Sequence, residues 1–427
     1  MKKVLSIEEI NQCPICKNDD LNIICSVDKF PYIGYSILKE EKDEIIKNYD
    51  LSSLFSPLKI MKCDKCKHVF QAIKPNDKLM NMIYNKYYNY PSSMISGFIY
   101  KREKIFLDYF LNVICPLCKK RRLNKILEIA CFDGVILNEL SKKQFEVYGC
   151  DPSKGADIAN KFGIKVHKNC FNSNYYINKN ESFDIIIFRH FIEHVYDPIE
   201  LLEDVKKILN KNGLIIFETP NVEYYLENGS FETFNLQHLQ NFSIYSIKKS
   251  LKKSSLKVIN YKITPENLIV VSSESGDLLS IVKNDLWNKN TNEFYSNLQK
   301  NIGYIKSLVN SYTNKKIILW GAGGLCGYFP LIYDINIDII SYIVDMDKRK
   351  WNMNFINNNL KIYSPEKLLS DNVDLIIITS MYGQEIINQI KKMNIKSDII
   401  SLTPKVNFIK CDDENETNKI IGEDQKY

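Results

Sequence analysis

Closely spaced cysteines are the first residues of this chain whose types and spacing could do chemistry. Six of the twelve cysteines fall into Cys-x-x-Cys pairs. In a reducing compartment this spacing indicates metal binding or thiol redox chemistry rather than a disulfide framework. The pairs are Cys13 with Cys16, Cys63 with Cys66, and Cys115 with Cys118.

The first two pairs predict one shared zinc ion. Each Cys-x-x-Cys turn can point both sulfurs at one ion, and four thiolates complete a closed tetrahedral site. Because a closed site leaves no position for water, the zinc would be structural. We therefore predict zinc at Cys13, Cys16, Cys63 and Cys66, with four metal-free thiols as the alternative. The role of the third pair stays open.

A single histidine, His238, is the candidate general base. It lies in the stretch "ETFNLQHLQNFS" (232–243) and is one of only five histidines. Histidine exchanges a proton near neutral pH without special tuning. A lone histidine is also often structural, so its role depends on the elements that position it.

Those elements follow an alternating pattern of strands and helices from about residue 123. This alternation predicts an α/β domain with a mostly parallel sheet. Between the last two strands, Asp197 and Pro198 are suited to begin a helix, which the segment "KNG" (211–213) is expected to end. The predicted strands are "KILEIA" (125–130), "FEVYGCD" (145–151), "FDIIIF" (183–188) and "LIIFETP" (214–220).

A second α/β unit is predicted nearer the end of the chain. It begins at "KKIILWGAGG" (315–324) and continues through "IISYIVDMD" (339–347) and "VDLIIITS" (373–380). The chain is thus divided into an N-terminal zinc-binding module (1–75), a helical and aromatic connector and lid (76–122), a central domain (123–265), a connector (266–310), a C-terminal substrate-binding α/β domain (311–405) and a polar tail (406–427).

Composition excludes several classes of protein. The chain has 427 residues, enough for two or three domains, and its net charge of +6 is small for a nucleic-acid binder. No apolar run is long enough to span a bilayer. The start "MKKVLSIEEI" lacks the features of a signal peptide. We therefore expect a cytoplasmic protein with neither a nucleic-acid nor a membrane partner.

The first strand of the central domain leads into a turn suited to a nucleoside. In "LEIACFDG" (127–134), small residues allow the backbone to approach a ligand, and Gly134 supplies conformations that other residues avoid. Asp151 ends the second strand, at the spacing where a carboxylate can accept hydrogen bonds from both ribose hydroxyls.

These segments resemble the class I S-adenosylmethionine (SAM)-dependent methyltransferases. The resemblance rests on "LEIACFDG", "YGCDPS" and "RHFIEHVYDP" (189–198), with Ala130 where the first glycine is usual. It implies SAM as cofactor and a Rossmann-like central domain. It also implies a ribose contact at Asp151, with Glu193 and His194 either closing a loop or touching substrate. The implied cofactor-binding residues are Glu128, Ala130, Asp133, Gly134, Asp151, Arg189 and His190.

The order of the three parts resembles the sugar C-methyltransferase family, which acts on nucleotide-linked deoxyketosugars. The C-terminal segments "ILWGAGG", "YIVDMDKRK" and "IYSPEKL" match that family in outline. The resemblance implies a second Rossmann-like domain that helps to hold the nucleotide-sugar. It also implies that Tyr88 and Tyr90, in a "Y-x-Y-x-S" stretch, cover the active site. The alternative for these two tyrosines is an aromatic packing surface between domains.

The same resemblance gives His238 a role. "FNLQHLQNFS" is similar to the family's "IYHEHLSYFS", and His238 falls on the histidine expected to be the base. Asn235 and Leu236 replace tyrosine and histidine, and Gln237, expected to orient the ring, replaces glutamate. Carbon methylation needs a base to remove a proton next to a ketone, whereas oxygen methylation needs only a base at a hydroxyl.

The prediction is therefore a SAM-dependent C-methyltransferase of a nucleotide-activated sugar, with His238 as the base. One alternative is an O-methyltransferase of a sugar or of another small glycan-related metabolite. Another is a zinc-bearing interaction protein that binds the cofactor but has no methyltransferase activity. The resemblance leaves the oligomeric state open.

Overall fold

The computed structural model describes residues 7–75, 78, 81, 83–84, 93–96, 101–275, 287–403, 405–411 and 419–420. Within these residues the chain forms an N-terminal module of antiparallel strands and two α/β units built on parallel sheets. None of the helices in the described ranges is both long and apolar enough to cross a bilayer. The expected α/β class with two Rossmann-like domains is confirmed.

The N-terminal module is a small antiparallel sheet in which one cysteine pair precedes the first strand of the longest hairpin and the other begins at the end of its second strand. Strand β2 pairs with β4, and β4 pairs with β5, so the long separation between the two cysteine pairs is filled by the hairpin itself. Its elements are β1 (Ile7–Glu9), β2 (Leu21–Pro31), β3 (Ile37–Leu38), helix α1 (Lys39–Asn48), β4 (Phe55–Cys63), β5 (Val69–Gln71) and β6 (Ile73–Pro75).

The central domain is a seven-stranded sheet in the order β13-β14-β11-β10-β7-β8-β9. Five strands run parallel, and β14 is antiparallel to both of its neighbours. Its helices are α2 (Ser93–Ser96), α3 (Lys101–Tyr109), α4 (Cys115–Arg121), α5 (Val135–Ser141), α6 (Gly155–Lys161), α7 (Ser173–Ile177), α8 (Pro198–Lys207), α9 (Val222–Glu227) and α10 (Ile244–Lys253). Its strands are β7 (Lys125–Ile129), β8 (Glu146–Cys150), β9 (Lys165–His167), β10 (Phe183–Arg189), β11 (Leu209–Pro220), β13 (Lys257–Ile263) and β14 (Asn267–Ser273), while β12 (Gln240–Asn241) joins the N-terminal sheet.

Both faces of this sheet are covered, which explains why the strands are almost continuously apolar. Along β10, Ile185 and Ile187 belong to one core cluster, whereas Ile186 and Phe188 belong to the cluster on the opposite face. The helical segment before β7 contributes Phe106 to the first of these clusters. That segment, assigned to a connector from the sequence, is therefore a layer of the central domain.

The predicted limits of the central domain are corrected in two places. The boundary at 265 falls inside a hairpin, because β14 pairs with both β13 and β11 and thus belongs to the sheet. Helix α8 is capped by Asp197 as predicted, but it ends at Lys207 rather than at "KNG". The reason is that Leu209 already pairs with Phe183 in the sheet, so "KNG" lies inside β11.

The C-terminal domain is a second sheet, in the order β18-β16-β15-β19-β20-β21-β22, whose last two strands are antiparallel. Strands β21 and β22 lie in the predicted polar tail (406–427), which is a correction, because β21 pairs with β20 and β22 pairs with β21. The elements are α11 (Trp287–Asn310), β15 (Ile317–Trp320), α12 (Gly324–Ile332), β16 (Ile340–Val344), β17 (Met353–Asn354), β18 (Ile362–Tyr363), β19 (Leu375–Ile378), α13 (Gly383–Lys392), β20 (Asp398–Ser401), β21 (Asn407–Ile409) and β22 (Lys419–Ile420).

The N-terminal module contacts both α/β domains. Strand β12 of the central domain pairs with β5, and β17 of the C-terminal domain pairs with β3. Gly327 packs so closely on the module that a Cβ atom added to it would lie 2.0 Å from the Gly34 carbonyl oxygen. The module therefore fixes the position of the loop that carries His238 relative to both domains.

Candidate functional site

The candidate site lies at the carboxyl ends of β7 and β10, where the strand order of the central sheet changes direction. Strand β7 is followed by β8 on one side, while the later strands are added on the other side through β10. Ligands of open α/β sheets bind in the crevice at such a switch point. The turn 130–134 follows β7, and Arg189 and His190 lie at the end of β10.

The turn after β7 has the left-handed conformations that the sequence suggested only at Gly134. The φ angles are 55° at Ala130, 49° at Phe132 and 74° at Gly134. Residues with side chains seldom adopt such angles, so the surrounding structure must hold them in place. The Asp151 carboxylate does so, because its Oδ2 accepts a hydrogen bond of 2.8 Å from the Phe132 N–H. The structure thus joins the predicted turn to the predicted ribose-binding residue.

Asp133 supports the turn through bonds to the chain. Its Oδ1 accepts from the Val135 N–H at 3.2 Å and its Oδ2 from the Met94 N–H at 3.0 Å. Asp133 is thereby tied to the start of α5 and to α2, and it stays a predicted cofactor-binding residue.

Three charged residues form a buried row beneath this crevice. Arg189 pairs with Glu218, at 2.8 Å between Nε and Oε2, and Glu128 lies diagonally across from Arg189 on the same face of the sheet. Among the described residues, Glu128 Oε2 and Arg189 Nη2 have no hydrogen-bond partner. Burial raises the pKa of Glu128 to about 8, while the Arg189 guanidinium opposes the rise. The row therefore presents one carboxyl oxygen and one guanidinium nitrogen without a hydrogen-bond partner.

His190 is a neutral imidazole at the end of β10. Burial, together with the nearby charges of Arg102 and Arg189, holds its pKa well below the usual range. Its Nδ1 lies 3.4 Å from Glu193 Oε1. His190 thus lies beside Glu193, and its contact with cofactor or substrate stays a prediction.

His238 lies in a compact cluster with Glu193 and His194. The His194 and His238 rings meet edge to face with their centroids 4.9 Å apart. One carboxylate oxygen of Glu193 and one ring nitrogen of each histidine all lie within 4.8 Å of one another. Glu193 and His194 thus both adjoin the candidate base, and contact of either with substrate stays a prediction.

Both histidines of the cluster are neutral at pH 7. Burial lowers the pKa of His238 to about 3 and that of His194 to about 4. The backbone carbonyl oxygen of Gln237 lies 2.8 Å from His194 Nδ1. Because a carbonyl oxygen can only accept a hydrogen bond, this nitrogen carries the proton. His238 Nδ1 lies 3.5 Å from Thr233 Oγ1, which itself donates to Asn241. This arrangement leaves His238 Nε2 with the lone pair that a base needs.

The side chain of Gln237 has a different partner from the one predicted. Its Nε2 donates to the Tyr32 carbonyl oxygen at 2.8 Å rather than to the His238 ring. The predicted connector and lid (76–122) does reach the cluster, because Tyr84 Oη lies 2.9 Å from His194 Nδ1. Sequence reasoning missed Tyr84 although it stands in that same segment. Tyr88 and Tyr90 lie outside the described residues, and their contact with substrate stays a prediction.

The sulfurs of the four cysteines predicted to bind zinc converge between the two Cys-x-x-Cys turns, which we call knuckles. Cys13 and Cys66 sulfurs are 3.4 Å apart, those of Cys16 and Cys63 are 3.5 Å apart, and all four lie within 4.8 Å of one another. Thiolates around a tetrahedral zinc are about 3.8 Å apart, given Zn–S bonds of about 2.3 Å. The four sulfurs therefore fit one zinc ion. In the parts of the chain described, Cys115 and Cys118 join no such cluster.

The knuckles themselves have the same local structure. In each, the residue after the second cysteine has a φ of 58° and donates its N–H to the carbonyl oxygen of the first cysteine. Those residues are Lys17 and Lys67. Two equal turns facing each other explain how distant pairs present four convergent sulfurs.

The fold and the turn after β7 define a class I methyltransferase domain. The family described as "Methyltransferase domain" matches residues 102–261. A second family, described as "C2185-like, N-terminal", matches residues 313–401. The methyltransferase match begins within the helices before β7, which agrees with their packing in the central core.

Known relatives of the chain include both carbon and oxygen methyltransferases. The C-methyltransferase NovU of Streptomyces niveus is 23% identical over 267 residues, covering 60% of this chain and 58% of that protein. A ubiquinone biosynthesis O-methyltransferase of Pelagibacter ubique is 30% identical over 128 residues, covering 29% and 51%. The chain thus spans little more than half the length of these relatives. A solved SAM-dependent methyltransferase from Clostridium acetobutylicum shares 18% identity at a TM-score of 0.34, covering 47% of this chain and 99% of that one.

The methyltransferase domain implies SAM, and the buried row fits it. The amino-acid end of SAM carries an ammonium group and a carboxylate. The unmatched oxygen of Glu128 suits the ammonium, and the unmatched nitrogen of Arg189 suits the carboxylate. Both atoms lie at the carboxyl ends of the strands that flank the switch point.

Asp151→Ala is expected to weaken SAM binding by about tenfold to a hundredfold. The variant lacks the carboxylate predicted to accept hydrogen bonds from the ribose, and charged hydrogen bonds contribute about 1.5–3 kcal/mol. The Phe132 N–H would also lose its acceptor. Isothermal titration with SAM measures the change. Asp157→Ala is the matched control, because Asp157 makes only a surface ion pair with Lys168. An unchanged Kd in Asp151→Ala would show that Asp151 does not hold the cofactor.

Proposed function

We propose that the chain transfers a methyl group from SAM to a carbon of a nucleotide-linked ketosugar, with His238 as the general base. The observation that carries this proposal is the His238 imidazole. It is neutral, its Nδ1 faces Thr233, and it adjoins the cluster that follows β10. A neutral imidazole with its proton on Nδ1 can accept a proton at Nε2.

The residues act on the sugar through proton transfer and positioning. When bound, SAM supplies an electrophilic methyl group on a sulfonium centre. His238 Nε2 takes the proton next to the ketone, which leaves an enolate whose carbon is the nucleophile. His194, held by the Gln237 carbonyl, keeps the neighbouring ring from turning away. The site must also align the nucleophilic carbon with the methyl group, because holding the reacting atoms in line lowers the barrier to transfer.

The nucleotide part of the substrate is assigned to the C-terminal domain. Its turn after β15 shares one hydrogen bond with the turn after β7. Asp345 Oδ2 accepts from the Ala322 N–H at 2.7 Å, as Asp151 Oδ2 accepts from the Phe132 N–H. Lys350 lies 3.0 Å from the same Asp345 oxygen. A ribose hydroxyl and a phosphate are the groups that such a carboxylate and lysine would bind. The name of the Streptomyces niveus relative, a C-methyltransferase, supports a carbon acceptor.

Oxygen methylation is the second candidate. The relatives named as O-methyltransferases favour it, and so does the replacement of the family's tyrosine and histidine by Asn235 and Leu236. A hydroxyl acceptor needs only one base, and His238 would serve. A third possibility, a cofactor-binding protein without activity, requires that SAM bind without turnover.

Methyl transfer to a panel of nucleotide-linked sugars tests the proposal. We expect product with one 4-keto or 3-keto sugar and none with the matching alcohol. Without SAM, the same ketosugar in D₂O should gain deuterium next to the ketone. Product without exchange would contradict carbon methylation, and product from the alcohol would establish the oxygen reading. SAM binding with no product across the panel would favour the inactive protein.

We also propose one structural zinc ion at Cys13, Cys16, Cys63 and Cys66, supported by the four convergent sulfurs. Reduced thiols at these positions suit the expected cytoplasmic location.

A further inference from the structure

We propose that Asn235 and Gln237 are positioning residues that hold His238 in place, an inference that rests on the proposed function. Residues 233–239, which we call the histidine loop, connect α9 to β12. At positions 235 and 237 the chain departs from the sugar C-methyltransferase pattern. The hydrogen bonds of these two side chains indicate that they form an alternative support for the base.

Asn235 holds the backbone of the histidine loop. Its Oδ1 accepts from the N–H of Gln237 at 2.9 Å and from the N–H of His238 at 3.0 Å. Asparagine side chains commonly bond to backbone N–H groups two or three residues further on. A tyrosine is too long and too rigid to fold back in this way. Asn235 thus orients the peptide from which the His238 ring extends.

Gln237 ties the same loop to two other elements. Its Nε2 donates to the Tyr32 carbonyl in the N-terminal module, and its own carbonyl accepts from His194. The side chain is 7% exposed. The partner at 2.8 Å is an acceptor, so residue 237 must supply a donor. A glutamate here would bring two acceptors together in a buried position, which is unfavourable.

The anchor for Gln237 is itself rigid. Tyr32 is fully buried and its N–H donates to the Leu54 carbonyl at 3.0 Å. Two residues further on, Gly34 packs against Gly327 of the C-terminal domain. The location of the base therefore depends on the docking of the N-terminal module, and the glutamine is matched to that docking.

The test restores the family's residue at position 237. We expect Gln237→Glu and Asn235→Ala each to lower kcat at least tenfold, with KM within threefold and SAM affinity unchanged. Asn235→Asp, which keeps the acceptor oxygen, should stay within threefold of the wild type. Asn336→Ala is the control, because Asn336 makes a similar side-chain bond to the Asp338 N–H in the C-terminal domain.

A second readout needs no substrate. With ¹⁵N-labelled imidazoles there are only five histidine spin systems, and His238→Gln identifies the signal of His238. Gln237→Glu and Asn235→Ala should shift or broaden this signal, and Asn336→Ala should not. Unchanged His238 signals in both variants, or wild-type kcat in Gln237→Glu, would overturn the positioning role. Full activity of His238→Ala would instead overturn the proposed base.

Discussion

His238→Ala is expected to lower kcat for methyl transfer about a hundredfold to ten-thousandfold, the range for loss of a general base. The variant would keep Glu193 and His194 and would remove only the imidazole assigned as the base. SAM binding should be unchanged, because the turn after β7 and the buried row are untouched. Steady-state kinetics with the best sugar of the panel, and titration with SAM, measure the two effects.

The pH dependence of the wild-type enzyme gives an independent check. A base acts only above its own pKa, and burial lowers the pKa of His238 to about 3. Activity should therefore stay flat from pH 8 down to about pH 5, whereas an exposed histidine would lose activity below about 6.5. His167→Gln is the control variant for His238→Ala, since His167 stacks on Tyr175 outside the cluster.

If His238→Ala keeps more than a tenth of the wild-type kcat, His238 is not the general base.

Several inner strands of both α/β domains could be predicted because they are short apolar runs buried on two faces. The segments ending at Ile129 and Arg189 are examples, and the helix capped by Asp197 follows from local chemistry alone. The contact between Asp151 and the turn also follows from order, since parallel strands end at the same edge. These features depend on residues near one another in the sequence or in the sheet.

The remaining features depend on how distant parts dock. The bond from Gln237 to Tyr32 spans 205 positions, and that from Tyr84 to His194 spans 110. The residue type does not predict the partner in either case, because an amide or a phenol can form hydrogen bonds with many different groups. The same limit applies to β14 and β21, which were assigned to a connector and a tail although each pairs with a strand on both sides.

Loss of zinc is expected to unfold the N-terminal module. Cys63→Ser should release the bound metal and expose the hairpin of β2 and β4, because structural zinc contributes about 10–16 kcal/mol in small metal-dependent folds. Metal analysis of the purified protein should give one zinc per wild-type chain and less than a fifth of that in Cys63→Ser. Thermal unfolding should begin at a clearly lower temperature. Cys115→Ser is the matched control, since Cys115 joins no cluster in the described structure.

The zinc site should also control catalysis, although it lies outside the crevice. Strand β5 follows the second knuckle and pairs with β12, directly after the histidine loop. His68 Nε2 bonds to Gln240 across this pair at 2.8 Å. Unfolding of the module would release β12 and the Tyr32 anchor together, so Cys63→Ser should lose methyl transfer while still binding SAM through the central domain. Zinc-free wild-type protein that keeps its full Tm and kcat would contradict both the metal site and this coupling.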